Sequence, residues 1–420
     1  MSLFHAAVFA FVLFLSTGLF FAAEKEDLSF ADLEAPEHDY WNRPLNDPFT
    51  KLKDDLEQGR MNLDESSEKA YLESLLEALK IPVSSQMLVY STTSLQLSLI
   101  SPRTPRALYF NEEIYLGYVQ GGRIEIVSID PEIGGIFYIF DIPRNGKRPV
   151  AERSRRCMNC HSDEDTHEIP GLVIKSVVPG PTGGSLESYR RARTGHDIPF
   201  SDRFGGWHVT GAEGIGPHWG NLTGRFTPEG IVTTPLPPGE KFDWAVFPVA
   251  TSDFLAHLLH EHQVGFVNRV VQVQYRLRTA LKRSNGRLSD EDRKEVSRLV
   301  EELTRYLLFA DEAPLQGKGL QCDALYQDEF LANRRRSSKG DSLKDLDLTT
   351  HIFRNRCSYM IYSPVFQNLP VGFKKRIYAR IGEALSLTKS DPEFAFFSPD
   401  EKTRVRTILK ETLPDLPADW

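Results

Sequence analysis

Apolar and polar positions change period several times along the chain, and each change predicts an element. From Ala31 to about Lys80 the sequence is polar and helical, with Tyr71, Leu72, Leu75, Leu76 and Leu79 on one stripe. Pro82 ends that pattern, because proline cannot extend a helix. Period two follows, with Leu95, Leu97 and Leu99 alternating with polar residues. Ile114 to Val119 and Arg123 to Ile129 flank Gln120-Gly121-Gly122, the pattern of a hairpin. Asp130-Pro131 and Gly134-Gly135 mark a turn before the apolar run Ile136 to Phe140. Met87 to Asp141 reads as a small antiparallel meander.

From Pro143 to about Glu240 the chain is rich in Gly and Pro and keeps no period. Irregular stretches of this length inside a folded chain are usually functional or disordered. Helical spacing then returns. Ser252 is placed to cap a helix running to about Lys282, with Leu255, Leu258, Leu259, His262, Phe266, Val270, Val273 and Leu277 on one face. Asn285-Gly286 turns the chain, and Ser289 with Asp292 resembles a capping box ahead of Val296, Leu299, Val300, Leu303 and Leu307. Phe373, Ile377, Ile381 and Leu385 predict another helix, and Ser398-Pro399 opens a last one.

The expected fold class is α+β, mainly helical, with a small antiparallel β-meander and a Gly/Pro-rich loop region. Five segments follow: an apolar leader at 1–23, a helical segment plus meander at 24–142, the loop region at 143–240, a helical hairpin at 241–310 and a helical tail at 311–420. Leu3 to Ala23 is almost wholly apolar and gives way abruptly to Glu24-Lys25-Glu26-Asp27, which predicts an export signal. Uncleaved, an apolar run of about 20 residues is also long enough to anchor the chain in a bilayer. The expected location is outside the cytoplasm, periplasmic, either soluble or anchored by this segment.

A hydrophobic content of 40% is ample for a core, and a net charge of −8 argues against general nucleic-acid binding. The decisive chemistry is five residues long. Cys157-Met158-Asn159-Cys160-His161 is the Cys-x-x-Cys-His attachment pattern of a c-type haem. Cys157 and Cys160 supply two thioethers, and His161 is the proximal iron ligand. Half of a zinc site and a thiol–disulfide redox pair are the competing readings. The first usually needs a second close pair, and Cys322 and Cys357 are isolated. The second is expected near a strand–helix–strand pattern, whereas Arg153-Ser154-Arg155-Arg156 and Asp163-Glu164-Asp165 flank this motif. Of the basic clusters at 153–156, 190–193 and 334–336, the first abuts the motif and can pair with haem propionates or dock an acidic partner. In an oxidising compartment Cys322 and Cys357 either pair or remain as buried thiols.

Methionine, the usual sixth ligand of a haem c carrier, does not occur between Met158 and Met360. His196, His208 and His218 follow the motif instead. His218, flanked by Gly216-Pro217 and Trp219-Gly220, is the first candidate for the distal position, and His262 in its apolar helix face is the second. His257 and His260 lie nearby, but a zinc site built from them lacks a fourth local ligand.

Taken together, several segments resemble a family of exported bacterial proteins known mainly as cytochrome c domain-containing proteins. The resemblance runs over most of 85–385. It is carried by Pro105-Arg106-Ala107-Leu108-Tyr109-Phe110-Asn111, Tyr118-Val119-Gln120-Gly121-Gly122 and Cys157 to His161. It continues in Gly205-Gly206-Trp207-His208-Val209-Thr210-Gly211, His218-Trp219-Gly220-Asn221 and Glu261-His262-Gln263 with Asn268. Asp345-Leu346-Asp347-Leu348 and Cys357-Ser358-Tyr359 complete it. It implies one covalent haem c on Cys157, Cys160 and His161. Relatives carry Met where this chain has Trp219 and Tyr where it has His208, so a candidate methionine ligand is absent here. The expected function is an exported monohaem cytochrome that passes electrons to a redox partner protein. A haem enzyme acting on a small oxidant such as peroxide is the alternative, as is a haem-based sensor or interaction module.

Overall fold

A computed structural model describes residues 32–143, 147–188, 194–213, 215–315, 319–417 and 420. The apolar leader and the basic cluster at 190–193 fall outside the described residues. The polar N-terminal stretch forms two helices rather than one. Asp47 accepts hydrogen bonds from the Phe49 and Thr50 amides and caps α1 (Pro48–Glu57), and Ser67 caps α2 (Glu68–Ala78). Gly59, with a φ of 68°, allows the chain to leave α1 in a left-handed conformation. The two helices bury Phe49, Leu52 and Leu56, and Tyr71, Leu72, Leu75 and Leu76.

The strands follow in chain order: β1 (Met87–Val89), β2 (Arg106–Phe110), β3 (Ile114–Tyr118), β4 (Arg123–Asp130), β5 (Gly134–Asp141) and β6 (Glu152–Arg153). Next come the separate pair β7 (Val177–Pro179) and β8 (Ser185–Ser188), then β9 (Trp207–His208), then the hairpin β10 (Leu222–Thr227) and β11 (Gly230–Pro235). The main sheet has seven strands in the order β6-β5-β4-β3-β2-β1-β9, each pair antiparallel.

This overturns the expectation of a mainly helical fold with a small meander. The sheet is the central layer, and the loop region extends it at both edges through β6 and β9. Strands of two residues carry no periodic signal, which is why the pattern does not show them. The alternation of Leu95, Leu97 and Leu99 is not a strand either. The Gln96 side chain stands in for a backbone: its Nε2 donates to Arg123 O at 2.9 Å, and its Oε1 accepts from the Arg123 amide at 2.6 Å. The three leucines are left 39%, 58% and 39% exposed.

Helices cover both faces. Ala107, Tyr109, Leu116, Ile124, Ile126, Tyr138 and Phe140 face α1 and α2, forming one apolar layer with Tyr40 and Phe49. The other face meets α4 (Phe254–Arg283), which follows the one-turn α3 (Met158–His161). Every residue of α4 from Phe254 to Tyr275 is buried, the state of a helix packed on all sides. Its cap is Asp253, not Ser252, whose hydroxyl instead donates to His208 O at 2.6 Å. The capping box of Ser289 and Asp292 opens α5 (Asp290–Leu307). The tail adds α6 (Ala324–Leu331), α7 (Pro364–Gln367), α8 (Val371–Ala384) and α9 (Pro399–Thr412). Among the described residues no helix is long and apolar enough to cross a membrane.

Candidate haem-attachment site

The motif hangs from one edge of the sheet. β6 pairs with β5 at Tyr138–Arg153 and Ile139–Glu152, and the Ser154 amide donates to Phe137 O at 2.8 Å. Cys157 follows at once. Arg153 locks this edge: its guanidinium donates to Tyr40 O at 2.5 Å and Trp41 O at 3.2 Å and sits 4.5 Å over the Tyr40 ring. Arg155 lies 4.1 Å over Trp41 and stays exposed, as does Arg156. Of the cluster read from the sequence, Arg153 is a structural clamp, and Arg155 and Arg156 face solvent.

The amides of Cys160 and His161 both donate to Cys157 O, at 3.2 and 3.1 Å, so both cysteines and the histidine sit on one helical turn. Cys157 is half-buried, Cys160 is exposed and both are free thiols. Burial pushes the Cys157 thiol up, and a Ser154 hydrogen bond opposes it. His161 Nδ1 lies 2.9 Å from Gly171 O. A carbonyl can only accept, so Nδ1 carries the proton and Nε2 keeps its lone pair. Burial lowers the His161 pKa, which favours this neutral form. The ring rests on Phe137, with centroids 4.5 Å apart. A metal-bound histidine commonly donates its second nitrogen to a carbonyl in this way, which sets tautomer and orientation.

Asn268 of α4 holds the acceptor in place. Its Oδ1 accepts from the Leu172 amide at 2.8 Å, and its Nδ2 donates to Leu172 O at 2.8 Å. A Cβ on Gly171 would meet Asn268 Oδ1 at 2.8 Å, so only glycine permits this approach.

The floor beside His161 is the α4-facing side of the sheet. There β2 and β4 alternate between half-buried Arg106, Leu108, Glu125 and Val127 and buried neighbours on the opposite face. Arg106 pairs with Glu125 at 2.5 Å. The charges of both reach His161 and Cys157. Two free sulfurs, an imidazole with an available nitrogen and a half-buried floor of Leu108 and Val127 beside the Arg106–Glu125 pair fit a covalently held haem. Among the described residues no three His, Cys, Asp or Glu side chains converge as a metal cage, which disfavours the zinc reading. A haem needs no such cage, because its macrocycle supplies the equatorial ligands.

His218, His262 and His208 have other neighbours. His218 is half-buried; its Nδ1 accepts from the Gly220 amide at 3.1 Å and its ring edges Phe204 at 5.8 Å. His262 is fully buried with both nitrogens engaged, Nδ1 with His196 Nδ1 and Nε2 with Ser358 Oγ, each at 2.7 Å. His208 points to the opposite sheet face, against Tyr90 and Phe242 at 4.4 and 5.0 Å. Cys322 and Cys357 are unpaired thiols, half-buried and buried, and burial pushes Cys322 up to about 12. A polar cleft of about 270 Å³ between α4 and α5, lined by Asp197, Arg269, Glu301 and Arg305, is unconnected with the motif.

The sequence reading passed over Gly171 and named Asn268 only within the family resemblance, without a role. Asn268 is one of four side-chain amides on α4, with Gln263, Gln272 and Gln274, so its polarity alone did not single it out. No family model, no curated protein and no solved structure matches this chain.

Proposed function

We propose that the protein is an exported monohaem c-type cytochrome that transfers electrons, related to the cytochrome c domain-containing proteins it resembles in sequence. One observation carries this reading: His161, its Nδ1 committed to Gly171 O at 2.9 Å, shares a helical turn with two free thiols. Cys157 and Cys160 would hold the cofactor through thioethers, and His161 Nε2 would face the iron. A bound haem supplies one-electron chemistry between ferric and ferrous iron. The protein supplies rigidity, since the motif is tied to the sheet through Ser154 and to α4 through Gly171 and Leu172. Rigid ligands change little between oxidation states, which suits a carrier. Exposed Cys160, Asn159, Arg155 and Arg156 put the motif at the surface, where an acidic redox partner can approach. Residues 1–23 fit an export signal, consistent with haem attachment outside the cytoplasm.

The test is maturation in a host that attaches haem c. The parent protein should keep haem through denaturing electrophoresis, and Cys157→Ala/Cys160→Ala should lose it. Haem that extracts fully from the parent into acidified organic solvent would end this reading. A reporter fused after Trp420 should work only outside the cytoplasm.

A further inference from the structure

Two imidazoles buried against the sheet have no hydrogen-bond partner for their ring nitrogens among the described residues, His208 on the face of α1 and α2 and His260 on the face of α4. His260 of α4 is only 7% exposed, yet neither ring nitrogen has a hydrogen-bond partner among the described residues. The other buried histidines of this helix are engaged: His257 donates to His208 O at 3.1 Å, and His262 bonds at both nitrogens. Burying an imidazole without a partner costs free energy. Such a group calls for an explanation.

Its position gives one. A single cross-strand row runs Phe137–Val127–Tyr115–Phe110 across β5, β4, β3 and β2. His161 rests on Phe137 at 4.5 Å. His260 meets Tyr115 at 5.6 Å and Phe110 at 5.2 Å, both edge-on. The two imidazoles thus stand on one sheet face with Val127 between them. Phe137 and Tyr115 are two strands apart, about 10 Å. Val127, Leu108 and the Arg106–Glu125 pair are the half-buried part of this face. The Arg106 charge acts on both rings.

We propose that His260 is the second protein ligand of the haem iron, opposite His161 across Val127. This rests on the haem reading above and goes beyond it, because it assigns the coordination sphere. Neither His218 nor His262, the two candidates taken from the sequence, takes the position. An iron held by two imidazoles has no open site for an oxidant, so the assignment also favours a carrier over a peroxide-consuming enzyme.

The experiment uses the haem-loaded full chain and reads ferric spin state by optical and electron paramagnetic resonance spectra. The parent should be low-spin, without the weak near-infrared band of an iron–thioether bond. His260→Ala and the bulkier His260→Gln should both be high-spin, and added imidazole should restore the low-spin spectrum of His260→Ala. His260→Met should be low-spin and gain the near-infrared band. His218→Ala should match the parent. Circular dichroism separates ligand loss from unfolding, and His260→Gln keeps the side-chain volume if alanine does not fold. A parent with covalent haem that is high-spin overturns the proposal and leaves the haem reading standing. So does a low-spin spectrum in both His260→Ala and His260→Gln. A parent without covalent haem overturns both.

Discussion

His161 and Gly171 exchange two hydrogen bonds: Nδ1 of the histidine to the glycine carbonyl, and the Gly171 amide to His161 O, each at 2.9 Å. The pair closes a ten-residue excursion after the Cys-x-x-Cys-His motif and ties the ring to the backbone at both ends. The excursion is in turn fastened to α4 by Asn268. The orientation of the imidazole therefore depends on a helix about a hundred residues downstream.

Asn268→Leu should expose that dependence. It leaves the buried Leu172 amide and carbonyl without partners, which costs about 1–3 kcal/mol for each group left unsatisfied. The urea midpoint of the haem-loaded protein should fall with little change in slope. Gly171→Ala should act on the same contact from the other side, because its Cβ would lie 2.8 Å from Asn268 Oδ1. A Gly171→Ala midpoint equal to the parent's would show that the excursion is free to move.

Arg203 and Glu261 form a buried ion pair at 2.8 Å, and its two halves are unequal. Arg203 also donates to His196 O at 2.7 Å and Ile198 O at 2.6 Å, holding the chain between them. Among the described residues Glu261 pairs with Arg203 alone, and burial raises its pKa to about 7 despite that partner. Arg203→Met should therefore cost more than Glu261→Gln. The first strands a buried carboxylate and two carbonyls, on the order of 3–5 kcal/mol. The second keeps a neutral acceptor for the guanidinium. Equal losses of denaturation midpoint would contradict this asymmetry.

The element pattern was legible where one face of an element meets solvent. The α5 stripe and its capping box, and the β3–β4 hairpin around Gly121-Gly122, appear where the sequence places them. Legibility failed where burial is total or geometry is non-local. α4 is buried all round, so a stripe through His262 was no better marked than the one through His257, His260, Val264, Val267 and Val271. That second stripe is the one that reaches the sheet. The cysteines and His161 were readable because their spacing is local chemistry. The roles of Gly171, Asn268 and His260 were not, because contacts made across about 10 to 150 residues leave no periodic trace.

Acid should destabilise the protein through histidines buried in the neutral form. Burial lowers His208, His257 and His262 to about 3, well below the ordinary value of 6.5. In this window the unfolded chain binds more protons than the folded one, so stability rises with pH from about 3 to 6.5. It is fully present above 6.5 and lost on acidification, by roughly 1.4 kcal/mol per pH unit for each such group. Glu261 and Asp253 work the other way, because burial raises their pKa values and folding binds a proton between 4.5 and about 7 at the first and between 3.8 and about 6 at the second. The three histidines outnumber these two carboxyls, so the net slope is positive. His257→Gln, which can still donate to His208 O, should flatten the dependence of the urea midpoint between pH 4.5 and 6.5. An unchanged slope would mean that His257 is not held neutral.

The Arg106–Glu125 pair offers a test in which the two members of one ion pair must act in opposite directions. The side chains are 16% and 15% exposed, and both charges reach His161. If iron binds at His161, a nearby positive charge disfavours the ferric state and a negative charge favours it. Arg106→Gln should then lower the reduction potential and Glu125→Gln should raise it. At an effective dielectric near 20 and a separation of about 10 Å the interaction is roughly 1–2 kcal/mol. For a one-electron couple that is on the order of 50 mV. Spectroelectrochemical titration reads both shifts directly. The double variant Arg106→Gln/Glu125→Gln should return close to the parent potential, because removing the pair removes two opposed terms. A shift of the same sign in both single variants would point to a change in folding or solvent access at the motif, and would remove the pair from any electrostatic role there.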